Sequence, residues 1–140
     1  MTDEVRKIKE TRDQLNAVSP SFCTAKWLQV TMHLQNGHTH SCHHPQTHKI
    51  PLEELRSNPT ALHNTEFKKR QRRMMLNGIR PKECQYCWNV EDLGGDHISD
   101  RHLKSHDTWA RPHLNTIAES DWQDNINPVS YTHLTLPTSR

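Results

Sequence analysis

The sequence predicts a small α+β domain, a β-hairpin with short helices arranged around four cysteines. Three observations lead there. Residues 28–35 alternate apolar and polar side chains with the period of a strand that has one buried face. Short segments with helix start and stop residues flank that strand on both sides. The four cysteines fall in three separate places, Cys23, Cys42 and the Cys84-Gln85-Tyr86-Cys87 pair. Only 31% of the 140 residues are hydrophobic and the mean hydropathy is -0.98, so apolar burial alone is a lean source of stability. A bound metal is a common supplement in so polar a domain, because its binding free energy is also folding free energy.

Taken in order, residues 3–16 read as a polar helix whose apolar stripe is thin, Val5, Ile8 and Leu15; residues 1–17 are assigned as a polar N-terminal helix or leader. Ser19-Pro20-Ser21 breaks it. In the strand, Leu28, Val30, Met32 and Leu34 share one face, and Asn36-Gly37 reads as a type I′ turn with positive φ at Gly37. The return strand, 38–42, carries Cys42 back towards the side on which Cys23 lies. A polar loop follows His43-His44-Pro45. Pro51 opens a short helix over 52–56, which Asn58-Pro59 ends. Residues 65–77 form a basic helix stopped by Gly78. The cysteine pair after Pro81 is placed at a helix start, where backbone N–H groups point at sulfur. Gly94-Gly95 closes that turn, and Ser99 caps a helix over 100–106. Residues 111–127 carry no period.

Four thiolates from three segments close one tetrahedral metal site or hold one iron–sulfur cluster. Zinc is the alternative to iron, although zinc ribbons use two compact cysteine knuckles and Cys23 and Cys42 stand well apart. Asp96-His97-Ile98 superficially resembles the core of HNH-type nucleases, with His97 activating water and His102 or His106 as a later ligand. That reading leaves Cys23 and Cys42 unexplained. The histidines His38, His40, His43, His44 and His48 suit a transition metal, but a polar hairpin accounts for them as well. Lys68-Lys69-Arg70-Gln71-Arg72-Arg73 reads as a solvated surface, because no base-stacking aromatic platform accompanies it. Met74, Met75 and Leu76 beside it read as core. A net charge of +2 gives no reason to expect nucleic acid. No apolar run approaches the roughly 18–20 residues that span a bilayer, and the N-terminus has no signal-peptide core. The expected compartment is therefore the cytoplasm, where thiols ligate metals rather than pair.

Phe22-Cys23, Trp27, Gly37 and Cys42, then Lys82, Cys84, Cys87, Trp88, Glu91, Ser99 and Arg101, in this order and spacing, resemble the twitch type of auxiliary iron–sulfur domain. Twitch domains are shortened relatives of SPASM domains and accompany radical S-adenosylmethionine (SAM) enzymes. The resemblance covers residues 21–101. It implies one auxiliary 4Fe-4S cluster on Cys23, Cys42, Cys84 and Cys87, with residues 18–110 as the cluster domain and 111–128 as a linker towards a radical SAM barrel. The chain lacks the C-x3-C-x2-C motif that binds the catalytic cluster and S-adenosylmethionine in such enzymes. Catalysis and that cofactor would therefore belong to the barrel, and the role expected here is electron relay, structural support or both. Trp88 is expected to shield the cluster or to pack, and Arg101 to donate towards the cluster or, in preference, to cap a neighbouring helix. Residues 129–138, VSYTHLTLPT, resemble the conceptual translation of a transposase-type sequencing adapter. Residues 129–140 are therefore set apart as a non-native tail, with the natural chain expected to end near Asn127 or Pro128 and the gene to continue.

Overall fold

Helix α1 starts at Thr2, whose side-chain oxygen accepts the Val5 N–H at 3.2 Å, and runs through Asp3–Val18. The computed structural model describes residues 2–33, 35–42, 44–94, 97–119, 128 and 130–134. Far from trailing as a leader, α1 buries Leu15 in the main core, and Thr11 Oγ1 meets His106 Nδ1 at 2.7 Å. A short helix α2, Ala25–Leu28, leads into β1, Gln29–His33. Leu28 thus ends a helix instead of starting the strand. Along β1 only Val30 is fully buried, while Met32 is half-buried.

Strand β2 is His38–His40, antiparallel to β1 with Thr31 opposite His40 and His33 opposite His38. The connection is longer than the two-residue turn that Asn36-Gly37 predicts. Gly37 N–H donates to the His33 carbonyl at 2.9 Å, and Gly37 alone takes positive φ, +72°. A type I′ turn would need positive φ at Asn36 as well, and no non-glycine among the described residues has it. Gly37 therefore ends a wider, helix-like turn in the left-handed region. Strand β3, His48–Lys49, falls where a polar loop was expected and pairs with β2. Strand β4, Ser130–Leu134, pairs in parallel with β1, so the segment set apart on its sequence forms an edge of the sheet, order β3-β2-β1-β4.

Helix α3, Leu52–Ser57, and a 3-10 turn, Pro59–Leu62, precede α4, Glu66–Leu76. Thr65 caps α4, and its C-terminus closes as expected: Gly78 has φ +73°, and the Gly78 and Ile79 N–H groups donate to the Met75 and Met74 carbonyls. The basic run on α4 departs from expectation. Lys68 and Arg72 are buried, one turn apart on the inward face. Lys68 Nζ donates to Thr39 Oγ1 at 2.8 Å, and Arg72 donates to the Lys26 carbonyl and to Asn64 Oδ1, each at 2.8 Å. These bonds compensate the cost of burying a cation. Helices α5, Gln85–Glu91, and α6, Asp100–His106, follow. Residues 111–119, irregular by pattern, form a 3-10 turn, Arg111–His113, and α7, Leu114–Glu119, with Leu114 and Ile117 in the core. One buried pair three residues apart is too short a signal to set a period. The architecture is α+β, with the core between α1, α2, α4, α5, α6 and α7 and the sheet at one side. No helix among the described residues is long and apolar enough to cross a membrane.

His63 sits between sheet and helices, with Nε2 donating to the Trp27 carbonyl at 2.7 Å. Burial, then the nearby Arg72 and Lys68, push its pKa down to about 2. The folded chain keeps it neutral, whereas the unfolded chain protonates it below about pH 6.5. Its contribution to stability is thus complete above about pH 6.5 and falls as the pH drops towards 2, at up to about 1.4 kcal/mol per pH unit. Denaturant titrations at pH 7 and pH 5 should give a lower midpoint at pH 5 in the parent, with a smaller difference in His63→Gln.

Candidate metal centre

Each cysteine is brought to the centre by a different local device. Cys23 lies just ahead of α2, and Cys42 lies just past β2, where the hairpin returns it. Cys84 ends the 3-10 turn Lys82–Cys84 at the N-cap position of α5, without a side-chain cap bond, and Cys87 occupies the first turn of that helix. All four line one cavity, part of it open to solvent. Cys23, Cys84 and Cys87 are buried and Cys42 is partly exposed; none is in a disulfide.

The sulfurs are electrostatically coupled. Burial pushes the Cys84 and Cys87 thiols up to about 12, and neighbouring sulfurs add to the rise. Cys23 and Cys42 are raised for the same first reason, Cys23 further by Cys42 beside it. Counteracting groups are present. The backbone N–H groups of Ala25, His44 and Arg101 hydrogen-bond to Cys23, Cys42 and Cys87 respectively. Lys26 acts on Cys23, Cys42 and Cys84, and Lys104 on Cys42. Burial disfavours the Lys26 ammonium, but Cys84 and the Glu83 carboxylate paired with it hold its pKa above the ordinary value. Even so, the net effect on every sulfur is a raised pKa, so burial holds the four cysteines as neutral thiols.

Arg101 braces the walls and does not cap a helix, as the sequence suggests. Its Nε and Nη2 donate to the two oxygens of Glu91 at 3.0 and 2.9 Å, a bidentate pair at the end of α5. Its Nη1 donates to the Phe22 carbonyl at 2.7 Å, next to Cys23, and Nη2 also reaches Asn16 on α1 at 2.9 Å. Burial alone would raise Glu91, yet its bonds to Arg101 and Ser99 hold it below the usual carboxylate range. Trp88 lines the cavity and also packs: it is buried, and its indole N–H donates to the Pro81 carbonyl at 2.8 Å.

The other candidates do not gather. His38 bonds Thr47, His48 bonds Thr65, and His33 and His40 stack with their Nε2 atoms 3.1 Å apart. His44 alone of the described hairpin histidines lines the cavity, paired with Asp100 and stacked on Tyr86; His43 lies outside the described residues. So does Asp96 of the nuclease-like motif. His97 is exposed, His102 Nδ1 accepts the Ser99 N–H at 3.0 Å, and His106 is engaged with Thr11. Among the described residues, no three histidine, cysteine, aspartate or glutamate side chains converge closely enough to hold a single ion. A tetrahedral zinc with Zn–S bonds of ~2.3 Å would draw its sulfurs to roughly 3.8 Å from one another. Here the four cysteines line one cavity.

Lys26 and Ser41 line the cavity and went unnoticed in the sequence. Their only signal is proximity, Lys26 one helical turn after Cys23 and Ser41 next to Cys42. No protein-family model matches the chain, and neither a curated protein nor a solved structure matches it.

Proposed function

We propose that this chain holds one 4Fe-4S cluster on Cys23, Cys42, Cys84 and Cys87, as an auxiliary domain accompanying a radical S-adenosylmethionine barrel in the cytoplasm. The observation that carries the reading is the shared cavity: three segments far apart in sequence bring all four cysteines to the lining of one space. A cubane cluster can use four such ligands, because its four corner irons each take one thiolate. The donor set fits the group. It is all cysteine sulfur, with backbone N–H groups on three sulfurs and the cations Lys26, Arg101 and Lys104 around the cavity.

When bound, such a cluster supplies one-electron transfer, and with all four irons ligated by protein it offers no open position to a substrate. The chain's own residues would do the rest. Arg101 and Glu91 keep α1, the Cys23 segment and α5 in register, and Met75 and Trp88 limit water at the sulfurs. Burial and N–H donation to sulfur are the levers that set a cluster's potential. The absence of a C-x3-C-x2-C motif in the sequence assigns S-adenosylmethionine and the radical step to the accompanying barrel. The test is anaerobic reconstitution of the chain with iron and sulfide, read as iron and acid-labile sulfide per chain.

A further inference from the structure

Beside Cys42, Ser41 is buried to 2% exposure, lines the four-cysteine cavity, and its hydroxyl has no hydrogen-bond partner within the protein. The other buried side-chain atoms in that position among the described residues are Trp27 Nε1, Gln29 Oε1, His48 Nδ1 and His63 Nδ1, and none belongs to a residue lining the cavity. A buried hydroxyl left unpaired costs free energy, so such a group calls for an explanation. Its location supplies one. A serine hydroxyl rotates freely to donate, and the cavity that Ser41 lines also holds the four cysteine sulfurs. Neutral thiols are weak acceptors, whereas anionic sulfur accepts a stronger, charge-assisted bond.

We propose that Ser41 donates its hydroxyl to a sulfur of the cluster held in this cavity and thereby raises the cluster's reduction potential. The proposal rests on the cluster reading above. Reduction adds negative charge to the sulfurs, so a donor stabilises the reduced state more than the oxidised one. Ser41 bonds no other group that its loss would strand, so the effect should appear in the potential and not in the fold.

The experiment is an anaerobic redox titration of the reconstituted full chain, followed by electron paramagnetic resonance, for the parent, Ser41→Ala and Ser41→Thr. Ser41→Ala should keep the parent's iron and sulfide content and shift the midpoint to more negative potential. Ser41→Thr, which keeps the hydroxyl, should stay near the parent. An unchanged midpoint in Ser41→Ala overturns the proposal, as does an equal shift in Ser41→Thr, which would trace the effect to side-chain volume. Loss of the cluster from either variant also counts against it. A parent chain that takes up no iron and sulfide overturns the underlying cluster reading instead, so the two failures are distinguishable.

Discussion

Cys84→Ala is expected to abolish cluster incorporation, taking iron and sulfide content of the reconstituted chain from the parent level to background. Cys84 is the hub of the cavity: it precedes the first turn of α5, feels Cys23 and Cys42 electrostatically, and is acted on by the Lys26–Glu83 pair. Losing one of four thiolates leaves an iron corner open to solvent. The thermal midpoint of the reconstituted chain should fall too, since any group that binds only the folded state stabilises it. A ligand present at a thousand times its dissociation constant contributes about 4 kcal/mol. The midpoint of the metal-free variant, by contrast, should lie close to that of the metal-free parent, because alanine fills much of the same buried space. Retention of iron and sulfide at the parent level in Cys84→Ala would remove this residue from the ligand set.

The second large effect belongs to Arg101. Arg101→Met keeps an apolar side chain of similar length but leaves the Glu91 carboxylate, 13% exposed, without its bidentate partner. Removing one member of a buried ion pair costs about 3–5 kcal/mol, because the stranded charge stays desolvated. Two further bonds go with it, to Phe22 O and Asn16 Oδ1. Denaturant unfolding of the metal-free chain should register the loss without involving the cluster. Arg101→Lys should recover only part, since an ammonium cannot reproduce the planar fork, and the double variant Arg101→Met with Glu91→Gln should be more stable than Arg101→Met alone. A cost below about 1 kcal/mol for Arg101→Met would show the clamp to be an ordinary surface pair.

Parts of this organisation are legible from local chemistry. Thr65 and Gly78 bracket α4 because a side-chain acceptor and a left-handed residue satisfy the orphan groups of helix ends wherever they occur. The position of Cys84 and Cys87 at the start of α5 is also legible, from their place after Pro81, although Cys84 makes no side-chain cap there. The hairpin is legible in existence but not in detail. Asn36-Gly37 promises a tight turn, yet the register of His33 with His38 opens a wider one that still needs only Gly37 to be left-handed. What stays hidden is tertiary. Lys68 and Arg72 belong to a run that looks solvated, and only the arrival of Thr39, Asn64 and the Lys26 carbonyl makes their burial tolerable. Ser41 and Lys26 carry no motif, and the fold alone places them in the cavity with Cys42. The same holds for Leu114 and Ile117, whose contacts come from helices far away in the chain.

The measurement that bears most directly on the central claim is acid-labile sulfide, determined with iron and zinc on the anaerobically reconstituted chain. Inorganic sulfide separates the readings because neither a zinc site nor four free thiols contains any. The account predicts iron and labile sulfide in equal amounts, near four of each per chain as a 4Fe-4S cluster requires, and both lost in Cys84→Ala. Stoichiometric zinc with no labile sulfide, resistant to exchange by iron and sulfide, would contradict it and make the four cysteines a structural zinc site.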